Sequence, residues 1–365
     1  MREAPPSEVK TDQLSRDPSK PEQLRLGCYN VEWFNALFDD RGRLLDDDGP
    51  SARYQVNRGK QLAALGVVFN ALDADAVMII EAPDTNAHRS TVTALEAFAA
   101  KYGLRTRRAM IGYTSDTEQE IAFLYDPDKL SAQHDPLGDP APSHGAPGAP
   151  RFDSQLRLDL NGDGIDDLVR FSKPPLELAV TTAGGHKLRL IGVHAKSKAP
   201  HGATNDAAYK RISIENRRKQ LAECLWLRAR VDRQLAAGDS VIVLGDFNDG
   251  PGLDEFEKLF GRSGIEIVLG QGSDRVPLHD PNAEMALNET NALAPSTARF
   301  WLQPQQRFFE ALLDFIMVSP DLAAMKPSWR IWHPFNDPGV LAAPGLSDAL
   351  LSASDHFPVT LDLAL

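Results

Sequence analysis

Short apolar runs alternate with longer amphipathic runs along almost the whole chain. The short runs are rich in β-branched and aromatic residues and end in Gly, Asp, Asn or Pro, which is typical of strands buried on both faces. They predict strands at residues 24–31, 76–80, 121–125, 176–181, 187–193, 241–244, 314–318 and 357–363. Apolar residues three and four positions apart predict helices at residues 55–72, 91–103 and 215–237. Strands and helices mixed over the whole length indicate a layered α/β fold.

Two stretches have neither pattern. Residues 1–23 are polar and contain proline, so we expect a flexible N-terminal arm in front of a single domain over residues 24–365. Residues 131–150 hold five prolines and three glycines, which is typical of a loop or linker.

An aspartate-rich stretch, "DLNGDGIDDLVR", follows at residues 159–170. Four of its residues match ligand positions of a calcium-binding loop, and these are Asp159, Asn161, Asp163 and Asp167. The last ligand position, which should be a bidentate Glu, is Arg170. A hairpin turn between "RLDL" and "LVRF" is therefore the favoured interpretation, and we expect at most weak calcium binding.

Several predicted strands end at, or begin just after, a polar residue of catalytic type. These residues are Asn30, Glu81, His194, Asp246, Asn248, Asp314, Asp355 and His356. Each has an ordinary explanation: Glu81 could open a solvated loop, His194 could be a satisfied core histidine, and Asp246 could belong to a turn. Because so many coincide, the pattern favours one shared site at the strand ends, where α/β sheets commonly bind ligands.

Composition and charge narrow the classes of function. A content of 42% hydrophobic and 25% charged residues is typical of a soluble globular protein. The formal net charge of −12, from 39 Lys and Arg against 51 Asp and Glu, argues against a protein that coats nucleic acid non-specifically. An enzyme that meets a phosphate locally, through a metal ion and a few basic groups, is compatible with this charge because those forces act at contact distance.

Targeting signals, membrane-spanning runs and cysteines bear on where the protein is located and on whether it has disulfides. No run reaches membrane-spanning length, and the N-terminus lacks the apolar core of a secretory signal, so we expect a cytoplasmic protein. Cys28 and Cys224 lie in a predicted strand and a predicted helix, which predicts two small buried residues and no disulfide framework. We expect the chain to be a monomer.

The strand-end residues form a chemically coherent set. Carboxylate and amide oxygens without cysteine are the ligands that Mg²⁺ or Mn²⁺ prefers, with water and substrate phosphate in the remaining positions. The histidines and further carboxylates can orient water and stabilise charge on a phosphoryl group.

The motifs around these residues resemble those of the endonuclease/exonuclease/phosphatase superfamily, which has the deoxyribonuclease I-like fold. The matching stretches, in the family's order, are "YNVEWF", "IIEAPD", "IGVHAKSK", "VLGDFNDGP", "LLDFIMVSP" and "ASDHFPVTLDL". The resemblance implies a four-layer α-β-β-α sandwich of two packed mixed sheets, with the active site at one rim between them. The sequence departs from the family where Ile80 precedes Glu81, a position where many members have Gln, and in an insertion at about residues 131–170.

The resemblance also implies roles for individual residues at the metal and the attacking water. Glu81 is similar to the principal metal ligand, with Asn30 close to it, and Asp355 is similar to a metal-site carboxylate. Asp246 with Asn248 resembles the pair that orients the attacking water and the phosphate.

The remaining roles concern the histidines. His356 resembles the family histidine that contacts the scissile phosphoryl oxygens, held through its other nitrogen by Asp314. His194 matches a second histidine that suits phosphate binding or protonation of the leaving group. Glu118 or Glu120 could orient this imidazole, and spacing does not choose between them.

Two further stretches bear on the substrate. Lys196 and Lys198 could supply positive charge or form a solvated loop end. "RFWLQPQQRFF", residues 299–309, offers aromatic and arginine side chains that could stack on bases, although packing in the core is the favoured interpretation.

We therefore expect a divalent-metal-dependent hydrolase of phosphodiester bonds that acts by activated-water attack, with a nuclease as one form of this activity. The alternatives are a phosphomonoesterase or phospholipid-type phosphodiesterase on the same scaffold, and a catalytically silent binding module. A silent module has no physical reason to keep so many costly clustered polar groups. The expected partner is a phosphate-ester substrate, with nucleic acid as one candidate.

Overall fold

The computed structural model describes residues 23–160, 163–200, 202–250, 261–272, 274–287, 295–302 and 306–365. The predicted N-terminal arm lies outside this part of the chain, apart from residue 23. The strands are β1 (Gln23–Asn30), β2 (Ala76–Ala82), β3 (Arg108–Ile111), β4 (Glu120–Tyr125), β5 (Leu130–His134), β6 (Leu156–Leu158), β7 (Asp167–Val169), β8 (Leu176–Thr182), β9 (Lys187–His194), β10 (Val241–Asp246), β11 (Ala298–Leu302), β12 (Arg307–Ala311), β13 (Asp314–Val318), β14 (Ser328–Ile331) and β15 (Val359–Ala364). The helices are α1 (Arg58–Leu72), α2 (Thr91–Tyr102), α3 (Asp206–Ala236), α4 (Gly264–Leu269), α5 (Pro281–Leu287), α6 (Pro320–Ala324), α7 (Pro338–Ala342) and α8 (Leu346–Ala353).

Every strand and helix predicted from the apolar pattern overlaps an observed one. The largest difference is at α3, which begins at Asp206, nine residues before the predicted start. The Asn205 side chain caps this helix by accepting a 2.8 Å hydrogen bond from the Ala208 N–H. The strands that were not predicted are short, and their apolar residues are too few to give a pattern.

Both large sheets are mixed, and each contains one parallel pair. The first sheet has the order β14-β15-β1-β2-β4-β3, in which β1 and β2 run parallel and the other neighbours antiparallel. The second has the order β13-β10-β9-β8-β5, in which β9 and β10 are the parallel pair. Helix α1 connects the first parallel pair and α3 connects the second, as parallel strands require a crossover.

The two sheets pack face to face, with helices on their outer faces. Leu26 of β1 and Leu244 of β10 belong to one buried cluster between the sheets. Tyr29 points to the other face of β1, into a cluster with α1 and α2, and Val243 points into a cluster with α3. This alternation gives the four layers α-β-β-α, so the predicted fold class is confirmed.

The proline-rich stretch at 131–150 is not a linker. Its first residues continue β5, which pairs antiparallel with β8. Its end is held against α3, because the Trp226 Nε1–H and the Arg230 guanidinium donate hydrogen bonds of 2.9 Å each to the Pro150 carbonyl. Arg230 also pairs with the buried Glu177 of β8. Buried hydrogen-bond donors on α3, which lies much later in the sequence, therefore fix the end of this proline-rich stretch.

The aspartate-rich stretch forms the predicted hairpin, in which β6 and β7 pair antiparallel. Asp159 accepts a 2.9 Å hydrogen bond from the Gly164 N–H, and Asp163 accepts one of 2.8 Å from the Ile165 N–H. These carboxylates therefore serve the turn, while Asn161 lies outside the described residues. Weak calcium binding at this turn stays a prediction.

Two smaller expectations concern membranes and cysteines. Within the described ranges, none of the helices combines the length and the apolarity that crossing a membrane needs. Cys28 and Cys224 are buried free thiols, as the sequence predicts.

Candidate active site at one rim of the sheets

Strand direction explains why the polar strand ends meet. Parallel pairing brings the carboxyl ends of β1 and β2 together, and likewise those of β9 and β10. Strands β13 and β15 run antiparallel to β10 and β1, so their beginnings reach the same rim. The predicted residues thus lie at one edge of the sandwich, at the ends of β1, β2, β9 and β10 and at or just before the starts of β13 and β15.

Asp246 is the buried centre of this rim. Its register partners are His194 on β9 and Asp314 on β13. Its Oδ1 accepts a 2.7 Å hydrogen bond from the Asn248 N–H, and its Oδ2 accepts one of 3.0 Å from Asn30 Nδ2. Burial raises the pKa of Asp246 to about 7, and the charge of Asp314 adds to this. The carboxyl group is thus placed to exchange a proton near neutral pH.

The glycine before Asp246 allows the close approach of β10 to β9. A Cβ on Gly245 would lie 1.9 Å from the Val193 carbonyl oxygen, which no packing change could accommodate. Glycine in "LGDF" is therefore required by the geometry that places Asp246 beside His194.

His356 and Asp314 form a buried hydrogen-bonded pair. His356 Nδ1 lies 2.8 Å from Asp314 Oδ2, and the other ring nitrogen lies 4.0 Å from Asp246 Oδ2. Although burial opposes protonation, the negative charges of Asp314, Asp246 and Asp355 hold the pKa of His356 well above its usual range. The pair therefore favours the protonated imidazole, whose Nε2–H would be a hydrogen-bond donor at the rim.

Glu81 reaches the site through an irregular backbone. It has a φ of 63° at a bulge in the pairing of β2 with β4. Its Oε2 accepts a 2.8 Å hydrogen bond from the Trp33 N–H, and its Oε1 lies 3.4 Å from Asn30 Nδ2. Glu32, Trp33 and Asn248 also have positive φ, so half of the eight such non-glycine residues in the described chain lie at this rim. Strained backbone of this kind, which costs about 1–3 kcal/mol per residue, is concentrated at functional sites.

Asn30 presents its amide nitrogen to the carboxylates. The Glu32 N–H donates a 3.0 Å hydrogen bond to Asn30 Oδ1, which fixes the orientation of the amide. Nδ2 therefore faces Asp246 and Glu81. In this structure Asn30 bridges two carboxylates, and its predicted role as a metal ligand stays a prediction.

Asp355 lies near two other carboxylates. Its backbone N–H donates a 2.9 Å hydrogen bond to Glu32 Oε2. Burial raises the pKa of the Asp355 carboxyl to about 7, and the nearby charges of Glu32 and Glu81 raise it further while His356 opposes them. The positive charges of His356 and Arg53 oppose this rise in the pKa of Asp355.

His194 is buried beside a lysine that sequence reasoning missed. Lys173 Nζ lies 3.1 and 3.2 Å from the two ring nitrogens of His194 and 3.1 Å from Gln119 Oε1. Burial and the adjacent charge of Lys173 lower the pKa of His194 well below its usual value. Lys173 follows no predicted strand, since it lies in the "FSKPP" segment before β8, so the strand-end pattern could not find it.

The predicted orienting role of Glu118 or Glu120 is wrong. Glu118 accepts a 3.1 Å hydrogen bond from Asn35, and Glu120 accepts one of 2.9 Å from the Ser115 N–H. The residue between them in sequence, Gln119, points to the opposite side of β4 and meets Lys173.

Of the two lysines of "HAKSK", Lys198 differs from both interpretations, and the two interpretations of Lys196 stay open. Lys198 donates a 2.7 Å hydrogen bond to the buried carboxylate of Asp249, so it belongs to an internal ion pair. The Lys196 N–H donates to the buried Glu223, and the ammonium group of Lys196 lies near Lys219.

The described residues of the aromatic stretch at 299–309 belong to β11 and β12, which pair antiparallel beside the site. Arg299 N–H donates a 2.8 Å hydrogen bond to the Asp355 carbonyl, and the ring centroids of Phe300 and His356 are 5.6 Å apart. Trp301 and Phe308 are 44% and 49% exposed, so core packing is the wrong interpretation for them. The Arg299 guanidinium carbon lies 3.4 Å from the centre of the Phe308 ring.

The donor set at the rim fits a hard divalent cation. Glu81, Asp246 and Asp355 offer carboxylate oxygens, and a buried Asp314 oxygen has no hydrogen-bond partner in the described part of the chain. One group of possible ligand atoms within 4.8 Å of one another comprises Asp246, Asp314 and His356. Because His356 Nδ1 is committed to Asp314, the oxygen set is the better match to Mg²⁺ or Mn²⁺.

Comparison with known proteins gives one match over most of the sequence. The family model described as "Endonuclease/Exonuclease/phosphatase family" matches residues 28–356. No curated protein sequence matches the chain.

Several solved structures have similar folds at low sequence identity. A Bacteroides thetaiotaomicron endonuclease/exonuclease/phosphatase family protein has a TM-score of 0.47 and 15% identity over 94% of this chain and 95% of its own. TDP2 from Caenorhabditis elegans has a TM-score of 0.46 and 14% identity, covering 95% of this chain and 75% of that chain. The human Nocturnin catalytic domain has a TM-score of 0.44 and 12% identity over 93% of each chain.

Proposed function

Because the chain belongs to the endonuclease/exonuclease/phosphatase family, we propose that it is a divalent-metal-dependent phosphodiesterase. The observation that carries this proposal is the convergence of Asp246, His194, His356 and Glu81 at one rim, with Asp246 Oδ2 3.8 and 4.0 Å from the two imidazoles. A carboxylate between two histidines is suited to hydrolysis of a phosphate ester by water.

In this proposal, Glu81 and Asp355 hold Mg²⁺ or Mn²⁺, and Asn30 keeps Glu81 and Asp246 in place. The metal ion, when bound, polarises a phosphoryl oxygen and offsets the charge that develops in the transition state. Asp246 orients the attacking water and accepts its proton, and the Asn248 N–H holds the carboxylate for this task.

The histidines and Lys173 act on the phosphate. Protonated His356 donates a hydrogen bond from Nε2 to a phosphoryl oxygen, while Asp314 fixes the ring through Nδ1. The Lys173 ammonium group, beside the imidazole of His194, supplies a second positive charge at the rim, suited to the leaving-group oxygen.

The exposed hairpin aromatics support nucleic acid as the substrate class. Trp301 and Phe308 extend from the strand pair that is bonded to Asp355, with Arg299 stacked on Phe308. Aromatic rings beside a guanidinium can stack on bases without reading their sequence. A phosphomonoester without a nucleoside has no base to place there.

A substrate panel tests the proposed function. We expect hydrolysis of single-stranded DNA or RNA and of a chromogenic phosphodiester, with little hydrolysis of a chromogenic phosphomonoester, and only with added Mg²⁺ or Mn²⁺. Full turnover after exhaustive chelation would refute the metal requirement. A preference for the monoester would favour the alternative phosphomonoesterase.

The substitution Glu81→Gln tests the metal ligand. The amide keeps the size of the side chain but removes its charge, so the Mg²⁺ concentration for half-maximal activity should rise about tenfold or more. Glu118→Gln is the matched control, because the Glu118 carboxylate accepts a hydrogen bond from Asn35 and is not proposed to hold the metal. If both variants give the wild-type metal titration, Glu81 is not a ligand.

A further inference from the structure

The segment that carries Asp355 and His356 has little structure of its own. It spans residues 354–358 between the end of α8 and the start of β15. Backbone atoms outside a helix or sheet ladder are positioned by side chains or by neighbouring loops. The placement of Asp355 therefore depends on what bonds this segment.

Glu32 is the side chain that bonds the Asp355 backbone. Its Oε2 accepts a 2.9 Å hydrogen bond from the Asp355 N–H and one of 2.5 Å from Arg53 Nη1. The backbone N–H of the same residue donates to Asn30 Oδ1. Glu32 has a φ of 48°, an uncommon conformation for a residue with a side chain. One strained residue thus connects the end of β1 with the segment that carries Asp355.

Arg53 connects Glu32 to the end of α8. Its Nε and Nη2 donate hydrogen bonds of 2.8 and 2.6 Å to the Leu351 carbonyl, while Nη1 reaches Glu32. A tight loop presents this side chain, because Ser51 Oγ accepts from the Arg53 N–H and donates to the Val56 carbonyl. The side chains of Arg53 and Glu32 are only 17% and 16% exposed, so water screens the pair weakly.

We propose that Arg53 and Glu32 form a clamp that positions Asp355 for metal binding. This inference rests on the proposed function, because it requires Asp355 to be a metal ligand. Neither side chain of the clamp needs to touch the reacting atoms. Groups that hydrogen-bond to a metal ligand's own segment fix the ligand's orientation, and losing them commonly weakens metal affinity by about 10- to 100-fold.

The fold does not depend on the clamp alone. Ser354 Oγ donates a 2.8 Å hydrogen bond to the Asn30 carbonyl and accepts one of 3.0 Å from the His356 N–H. Gln61 Nε2 donates to the Ala353 carbonyl at 2.9 Å. These bonds, together with the 2.8 Å bond from the Arg299 N–H to the Asp355 carbonyl, hold the segment when Arg53 is replaced, so we expect a folded variant in which the Asp355 carboxylate is less precisely oriented.

The test is Mn²⁺ binding measured by calorimetry, together with kcat at increasing Mn²⁺, for the variant Arg53→Met. We expect the dissociation constant for Mn²⁺ to rise about tenfold or more, and saturating Mn²⁺ to restore most of kcat. Arg53→Lys should lie between wild type and Arg53→Met, because one ammonium group cannot reproduce the guanidinium bridge. The matched control is Arg58→Met, which removes an arginine paired with Asp47 in the adjoining segment.

The outcomes of this test distinguish a failure of the clamp hypothesis from a failure of the proposed function. Equal Mn²⁺ affinities for Arg53→Met and Arg58→Met would overturn the clamp while wild-type phosphodiesterase activity stands. Weaker binding in Glu32→Gln, with no change in Arg53→Met, would place Glu32 itself on the metal and also overturn it. Absence of metal-dependent turnover in the wild type would reject the proposed function, whatever the variants show.

Discussion

Replacing Asp246 with Asn should lower kcat by about 10²- to 10⁴-fold on the phosphodiester that the panel identifies. The amide has the shape of the carboxyl group and can still accept the Asn248 N–H bond, but it cannot accept a proton from the attacking water. The loss should persist at saturating metal, in contrast to the loss in Glu81→Gln.

The same substitution should leave the free energy of unfolding unchanged or raise it in the metal-free protein at pH 8. Burial raises the pKa of Asp246 to about 7, above its ordinary value of 3.8, so the ionised form is the less stable one in the folded state. The free-energy cost of ionising Asp246 in the folded state is absent below the ordinary pKa and is fully present once the pH exceeds the pKa in the folded protein. A neutral isostere removes this cost, and lower activity with equal or higher stability is typical of a catalytic residue.

The checks are kcat for Asp246→Asn over a metal titration and its unfolding free energy from denaturant titration. If Asp246 were only a turn residue, Asn would replace it with little effect on the rate. A well-folded variant with near-normal kcat would therefore remove Asp246 from the mechanism, and with it the main support for water activation at this rim.

The strand-end pattern predicted this site because both parallel pairs lie at its centre. The apolar and glycine residues run without interruption from Leu26 to Asn30 in β1 and from Val241 to Asp246 in β10, and the change from apolar to polar marks the rim. The same pattern found Asp314 and His356 at or just before the starts of strands that run in the opposite direction, and the family motifs then implied their roles. A local pattern could locate these residues because each one adjoins a strand of its own.

The sequence could not predict partners that meet only across long separations. Lys173 reaches His194 from a loop, and Arg53 reaches Leu351 across 298 residues. Their neighbours in sequence carry no signal of these contacts. The Pro150 carbonyl is likewise fixed by donors on α3, so composition, which predicted a loop or linker, could not show that the loop is packed against this helix.

The two aspartates of "GDFNDGP" show most directly that sequence does not predict contacts across long separations. Turn chemistry and charge are alike for Asp246 and Asp249, yet their surroundings differ. Asp246 faces two histidines at the rim, whereas Asp249 accepts hydrogen bonds of 2.6 Å from Arg217 Nη1 and 2.7 Å from Lys198 Nζ. The first is placed for chemistry and the second for stability.

Asp249→Asn should therefore lower the free energy of unfolding by about 3–5 kcal/mol, the usual effect of removing one partner from a buried ion pair. Asp249 is fully buried, Arg217 is 1% exposed, and the Asp249 carboxylate also accepts a 2.5 Å bond from the Gly264 N–H at the start of α4. The substitution removes the negative charge that joins α3, α4 and the segment after β9.

Asp246→Asn is the matched control for this last prediction, because it makes the same isosteric change three positions earlier in the same loop. Denaturant titration of the two variants should give opposite results, with a large loss of stability for Asp249→Asn and none for Asp246→Asn. A loss below about 1 kcal/mol in Asp249→Asn would mean that water enters and screens the Arg217–Asp249 pair, as it screens surface ion pairs. A large loss in both would instead mean that the whole loop responds to lost charge, and that stability cannot distinguish the two aspartates.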